Sequence, residues 1–239
     1  MGAAFLVDLS ASTDDLIDQA PTTTTLTDRP DAPAGLNLRD PYSDDDDEFT
    51  FDLESRREAE DAKRRIIDIQ REAVLLMAGA LEGLGDQYGV FGFSGYGHDC
   101  VEFYIAKEFR QPLDARALDA IAAMTPKRST RMGAAIRHAA AKLEASGSAL
   151  KVLMIISDGF PQDCDYGPDR GNHEYGVQDT AKALREAEQR GIKTLCITVD
   201  RSGHDYLRRM CPEEHYMVIE ETEELPSALQ KAYRRLTHL

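Results

Sequence analysis

Oxygen-bearing side chains follow two short apolar runs that lie far apart in the sequence. The runs are residues 3–7 (Ala-Ala-Phe-Leu-Val) and residues 152–156 (Val-Leu-Met-Ile-Ile). The side chains that follow them are Asp8, Ser10 and Ser12 after the first run and Asp158 after the second. Carboxylate and hydroxyl oxygens suit a hard, octahedral cation such as Mg²⁺, which keeps some of its waters. We therefore expect these residues to form a small, all-oxygen metal site.

Both runs have the pattern of strands that are buried on both faces of a sheet. An uninterrupted apolar run that ends in polar residues is typical of such a strand where it reaches the carboxyl edge of a parallel sheet. In open α/β sheets, ligands bind outside that edge. We therefore expect Asp8 and Asp158 to lie at one edge of the sheet, and we expect the function of the chain to reside there.

The rest of the chain alternates between helical and strand patterns. Apolar residues at spacings of three and four predict a helix over residues 54–84, and a turn-rich segment at residues 94–99 predicts a hairpin. The predicted strands cover residues 88–93, 100–106, 151–156, 192–199 and 216–219, and the further predicted helices cover residues 114–124, 131–145, 175–189 and 223–236. This alternation predicts an α/β fold: a doubly wound, mostly parallel sheet flanked by helices, with one antiparallel hairpin at its edge.

One segment departs from this pattern directly after the first polar cluster. Residues 14–52 contain a run of threonines at 22–25, four prolines and an acidic block at 44–48. Low hydrophobicity with clustered charge cannot bury enough apolar surface to offset the entropy of ordering the chain. We therefore expect residues 1–239 to form a single domain that carries a flexible acidic insertion at about residues 14–52.

Composition and charge exclude several classes of function. The chain has 43 acidic and 28 basic residues and a formal net charge of −15, which disfavours a nucleic-acid partner. No apolar run approaches the ~20 residues of a membrane-spanning helix. The four cysteines are dispersed, as expected of reduced thiols in a cytoplasmic protein. Met1 and Gly2 directly ahead of a predicted core strand suggest a piece of a longer protein.

The Asp-x-Ser-x-Ser pattern at residues 8–12 resembles the opening of the metal-ion-dependent adhesion site of von Willebrand factor A domains. In those domains, a threonine from a middle loop and an aspartate after the fourth strand complete the site. This sequence has Thr130 and Asp158 at the matching positions, in the same order. The resemblance implies that the chain binds Mg²⁺, or another divalent cation such as Mn²⁺ or Ca²⁺.

Other segments are similar to one particular group of these domains. They are Ser129–Ala139, Gly89–Ser94, Tyr175–Thr180, Thr198–Asp200 and Leu225-Pro226. The group comprises the C-terminal domains of the nitric oxide reductase activation protein (NorD type) and the Rubisco activase adaptor (CbbO type). The resemblance implies a hexameric AAA+ ATPase partner of the MoxR type and a target enzyme that this ATPase remodels or activates. The sequence has no Gly-x-x-x-x-Gly-Lys-Ser/Thr loop, so nucleotide chemistry would have to come from the partner, and the chain is not expected to be an enzyme.

The expected site has hydroxyl ligands from Ser10, Ser12 and Thr130, while Asp8 and Asp158 accept hydrogen bonds from waters on the ion. An open position would then take an acidic side chain of a partner protein. Arg128 and Arg131, beside Thr130, either pair with that acidic segment or are solvated surface charges.

Three other interpretations remain open from the sequence. Asp8 and Ser10 could serve only as turn or helix-capping residues. The chain could be the von Willebrand A-like subunit of a magnesium or cobalt chelatase. It could also be a Mg²⁺-dependent phosphohydrolase, although that chemistry needs a second aspartate where this chain has Ser10.

Overall fold

A six-stranded sheet forms the centre of the part of the chain that the structure describes. The computed structural model describes residues 1–17, 64–167, 173–198, 205–219, 221 and 224–237. The strands are β1 Gly2–Asp8, β2 Gln87–Gly95, β3 Val101–Lys107, β4 Lys151–Ser157, β5 Ile192–Thr198 and β6 Tyr216–Val218, in the order β3-β2-β1-β4-β5-β6. All neighbouring strands are parallel except β2 and β3, which form an antiparallel hairpin at the edge.

Helices follow the strands along the chain. They are α1 Ile66–Leu84, α2 Ala115–Ala122, α3 Met132–Ala145, α4 Glu174–Gln189, α5 Asp205–Met210 and α6 Leu225–Thr237. Helix α1 ends where Gly85 takes a left-handed conformation (φ 71°), which a residue without a Cβ adopts readily. Helix α2 begins at a side-chain cap, because the carboxylate of Asp114 accepts a hydrogen bond from the amide of Ala117 at 2.9 Å.

The core lies on both faces of the central strands. Residues alternate between the faces of a strand, so Ala4 and Leu6 of β1 pack in one cluster with apolar residues of α3, α4 and α5. Helix α1 packs with α6 and α2. All seven residues of β1 are buried, as the uninterrupted apolar run predicts.

The fold class predicted from the sequence is confirmed. The sheet is mostly parallel and flanked by helices, and its one antiparallel pair lies at the edge. The helix predicted from residue 54 is observed from Ile66 onward, and residues 54–63 lie outside the described residues. None of the described helices is long and apolar enough to cross a membrane.

The chain divides into two compact units. Residues 1–15 and 65–239 form the first, and residues 16–64 form the second. A short 3₁₀ helix, Ala11–Asp14, ends at the first residue of the expected flexible insertion, and residues 18–52 of that insertion lie outside the described residues. The expectation of a single domain with an insertion therefore stays a prediction.

Candidate metal centre

Asp8 is held rigidly at the carboxyl end of β1. Its side chain is fully buried between the neighbouring strands β2 and β4. The amide of Ser10 donates to Oδ1 of Asp8 at 2.9 Å, and the hydroxyl of Ser157 donates to Oδ2 at 2.7 Å. Both carboxylate oxygens are therefore oriented by the protein. Ser157 is a site residue that sequence reasoning missed, although it immediately precedes Asp158.

The hydroxyls of Ser10 and Ser12 and the carboxylate of Asp158 lie together. Ser10 Oγ is 3.1 Å from Ser12 Oγ and 3.5 Å from Asp158 Oδ1. The 3₁₀ helix that follows begins after Ser10, yet the Ser10 side chain makes no capping hydrogen bond to it. The capping interpretation of Ser10 therefore does not account for the direction of its hydroxyl, whereas Asp8 does accept a local turn hydrogen bond from the Ser10 amide.

Backbone hydrogen bonds fix the Thr130 loop against the two other loops of the site. The amide of Ala11 donates to the carbonyl of Arg128 at 2.7 Å, and the amide of Thr130 donates to the carbonyl of Gln162 at 2.8 Å. Ser129 and Gly95 exchange a pair of hydrogen bonds at 2.9 Å, which anchors the same loop to the end of β2. Residues from three distant parts of the sequence are thus joined through the backbone rather than through flexible side chains.

A cavity of about 360 Å³ opens between these loops. Ser10, Ser12, Thr130 and Asp158 all line it, together with Arg128. Asp8 does not line the cavity, because its carboxylate lies beneath the loop that Ser10 begins. The structure therefore brings four of the five expected metal-site residues around one space and places the fifth directly behind them.

The electrostatics of these residues fit a cation. Burial, with the nearby carboxylate of Asp158, raises the pKa of Asp8 to about 7. A positive ion in the cavity would offset this repulsion, and the surrounding donors are hard oxygens of the kind that Mg²⁺, Mn²⁺ and Ca²⁺ take. The donor set therefore fits a divalent cation, and metal binding by these residues stays a prediction.

The two expected partner-binding arginines have different environments. Arg128 is exposed, and its Cζ lies 5.4 Å from the centre of the Tyr96 ring. Arg131 is buried, and its Nε donates to Oδ2 of Asp163 at 2.7 Å. Arg128 is therefore accessible from solvent, whereas Arg131 is held inside the protein by Asp163. The expected contact of either arginine with a partner stays a prediction.

Arg131 organises the loop that follows Asp158. It also pairs with Asp165, and its Cζ lies 4.5 Å from the centre of the Tyr166 ring. Asp163 further accepts hydrogen bonds from the amides of Gly97 (2.9 and 3.0 Å) and Cys164 (2.7 Å). Asp163, Cys164 and Asp165 lie close enough to form a metal-ligand cluster, but a cation there would compete with the guanidinium that both carboxylates already contact.

Comparisons with known proteins agree with this fold. Residues 60–232 match the model of the von Willebrand factor type A domain, so the chain belongs to that family. It is 37% identical over 164 residues to protein NorD of Stutzerimonas stutzeri, a match that covers 69% of this chain and 26% of that protein. It is 35% identical over 176 residues to protein PA0525 of Pseudomonas aeruginosa, covering 74% of this chain and 28% of that protein.

Solved structures show the same fold at low sequence identity. A von Willebrand factor type A structure from Catenulispora acidiphila superposes with a TM-score of 0.58 at 12% identity, covering 98% of this chain and 42% of that chain. The expectation of a von Willebrand factor A domain of the NorD type is thus confirmed, whereas the likeness to the CbbO type stays a prediction. The chain spans roughly a quarter of the length of these curated relatives. The activity and partners of those whole proteins are therefore not established for this chain.

Proposed function

We propose that this domain is a metal-dependent protein-binding adaptor that links a MoxR-type AAA+ ATPase to a target enzyme for activation or remodelling. The observation that carries the proposal is the cavity that Ser10, Ser12, Thr130 and Asp158 line together. The donors offered to it are mainly neutral hydroxyls, with Asp158 at the rim and Asp8 behind. The proposal assigns no catalytic residue to the chain.

The residues of the chain have distinct parts in this proposal. Ser10, Ser12 and Thr130 hold the ion through their hydroxyls, while Asp8 and Asp158 orient the hydroxyls and accept hydrogen bonds from water. When bound, a divalent cation supplies an electrophilic centre that a carboxylate of a partner protein can ligate. Arg128 lines the same cavity from the exposed side, and its charge favours the approach of an acidic segment.

The choice of partners rests on resemblance rather than on contacts. Two observations support it: the family match and the identity to proteins named NorD over most of the chain. The alternative of a chelatase subunit uses the same fold and the same type of site, and binding to a MoxR-type ATPase would distinguish the two. A Mg²⁺-dependent phosphohydrolase is disfavoured, because Ser10 stands where the second, proton-transferring aspartate is required.

The first test is calorimetry with Mg²⁺ or Mn²⁺ on the wild-type chain and on Thr130→Ala. We expect the variant to bind the ion at least about tenfold more weakly, because it loses one hydroxyl ligand. Ser227→Ala is a matched control, since Ser227 is an exposed serine in the first turn of α6 whose hydroxyl donates to the carbonyl of Glu224, the residue before that helix. Equal heats for wild type and Thr130→Ala would refute the metal centre.

The second test concerns the partners. A binding titration of the full-length protein against a MoxR-type ATPase and its target enzyme should show loss of affinity by about tenfold or more for Asp8→Ala and after EDTA treatment. Circular dichroism on each sample separates loss of metal from loss of fold. If both samples bind every partner as well as the wild type, the adaptor proposal is wrong.

A further inference from the structure

A second cavity, which we call the apolar groove, adjoins the candidate metal centre. It has a volume of about 270 Å³ and lies between the edge strand β3 and the end of helix α2. Most of the side chains that line it are apolar, among them Ile105, Ala106, Ala120, Ala123 and Met124, and its polar members are Tyr104, Thr125 and Lys127. Ile105 is 50% exposed and Ala123 and Lys127 are exposed, so the groove opens to solvent.

The apolar groove and the metal centre share a wall. Leu9 and Lys127 line the groove, and the next residues along the chain, Ser10 and Arg128, line the metal centre. Consecutive Cα atoms are about 3.8 Å apart, so only the thickness of a backbone separates the two spaces. The amide of Lys127 donates to the carbonyl of Leu9 at 2.7 Å, which holds the two segments side by side as a rigid ridge.

Two positively charged side chains lie on the backbone that separates the groove from the metal centre. Lys127 and Arg128 are both exposed, and neither has an ion-pair partner among the residues that the structure describes. Each lies near an aromatic ring instead: Lys127 Nζ is 5.6 Å from the centre of the Tyr104 ring, and Arg128 lies over Tyr96. In a chain with a net charge of −15, this local positive charge favours an acidic occupant for the surface that joins the groove to the metal centre.

We propose that the partner segment recognised at the metal centre is acidic and carries, a few residues from its metal-ligating carboxylate, an apolar side chain that fills the apolar groove. This inference rests on the proposed function. The groove is smaller than the roughly 300–1,000 Å³ of small-molecule sites, which suits it to a single side chain. Its occupant covers the exposed face of Ile105, and the apolar area removed from water adds affinity that a lone carboxylate lacks.

The test is a set of titrations followed by NMR, with Mg²⁺ present, on the whole chain. The probes are capped peptides of about ten residues, made of Gly and Ser with one Asp, and a series in which one Leu is added at successive distances from the Asp. We expect at least one Leu-containing peptide to bind about fivefold or more tightly than the peptide with Asp alone.

Two alanines of helix α2 provide matched variants. Ala120→Leu places a side chain inside the apolar groove, whereas Ala122→Leu makes the same change on the same helix outside it. The gain from the peptide Leu should disappear in Ala120→Leu and persist in Ala122→Leu. Circular dichroism checks both folds, and Ile105→Ser, at an exposed edge-strand position, replaces Ala120→Leu if that variant does not fold.

The outcomes separate the two proposals. If no peptide gives a Mg²⁺-dependent shift, the proposed function fails and the groove proposal fails with it. If the peptide with Asp alone binds in a Mg²⁺-dependent manner but Leu never improves binding, the groove proposal is overturned while the metal centre stands. A Leu gain that survives in Ala120→Leu also overturns it, because the peptide would then be using another surface.

Discussion

Replacing Arg131 with Met tests whether the loop beside the metal centre depends on one buried ion pair. The Arg131 side chain is 11% exposed and that of Asp163 is 0% exposed, and the pair is joined at 2.7 Å. Removing one partner of a buried pair typically costs about 3–5 kcal/mol, because the other charge is left uncompensated. Since Asp163 keeps its hydrogen bonds from the amides of Gly97 and Cys164, we expect a loss near the lower end, about 3 kcal/mol.

Urea denaturation followed by circular dichroism measures this loss. With a slope of about 2 kcal/mol per molar urea, a loss of ~3 kcal/mol lowers the midpoint by about 1.5 M. Arg137→Met is the matched control, because Arg137 is 33% exposed and its partners Asp179 and Glu186 are also partly exposed. We expect the control to cost about 1 kcal/mol or less. If the two variants lose equal stability, the reasoning from burial is refuted.

The dependence on pH gives an independent check of the same ion pair. Burial alone raises the pKa of Asp163, but the Gly97 amide and the Arg131 guanidinium outweigh it and hold that pKa below its usual value. The pairing therefore stabilises the folded state above the unfolded pKa of about 3.9, and the contribution is lost as the pH falls through the folded value. The difference in free energy of unfolding between wild type and Arg131→Met should become smaller at low pH. A difference that does not change with pH would contradict the ion-pair account.

Three further changes have outcomes that the structure predicts. Gln70 is fully buried and its amide has no hydrogen-bond partner among the described residues, so Gln70→Met should raise the free energy of unfolding by about 1–3 kcal/mol in urea denaturation. A Cβ on Gly133 would lie 2.1 Å from Oδ2 of Asp179, so Gly133→Ala should lower the thermal midpoint, at a cost of about 1–3 kcal/mol. Arg128→Ala should leave stability unchanged while weakening the Mg²⁺-dependent binding of an Asp-containing peptide by about threefold, with less sensitivity to salt; unchanged affinity would remove Arg128 from the partner site.

The strands and the meeting of Asp8 with Asp158 at one edge of the sheet could be predicted from the sequence. An apolar run of strand length limits the possible folds, and the carboxyl ends of parallel strands meet at the same edge. β1 and β4 are neighbours in the sheet, and Ser157 and Asp158 therefore lie beside Asp8 and Ser10. Here the apolar run and the polar residues that end it are sufficient to place Asp8 and Asp158 at the same edge.

The environment of Arg131 could not be predicted in the same way. Its partners Asp163 and Asp165 lie in an irregular loop, where no repeating pattern fixes the direction of a side chain. An arginine in a polar segment is exposed in most proteins, and only a buried carboxylate reverses that expectation. The apolar groove could not be predicted for a related reason. It forms between β3 and α2, and the sequence pattern of one element does not show which other element packs against it.

The central position of β1 has a consequence for how the protein folds during its synthesis. Gly2 pairs with Gln87 on one side and with Lys151 on the other, so the strand that bears Asp8 joins a sheet whose other parts are made much later. Closing such long loops slows folding, although each doubling of a loop adds only about 0.6 kcal/mol of entropy cost. A chain still on the ribosome has no complete site before residue 158 has emerged. A partner that recognises this site would therefore bind only chains in which β1 and β4 have already paired, and docking would report that pairing.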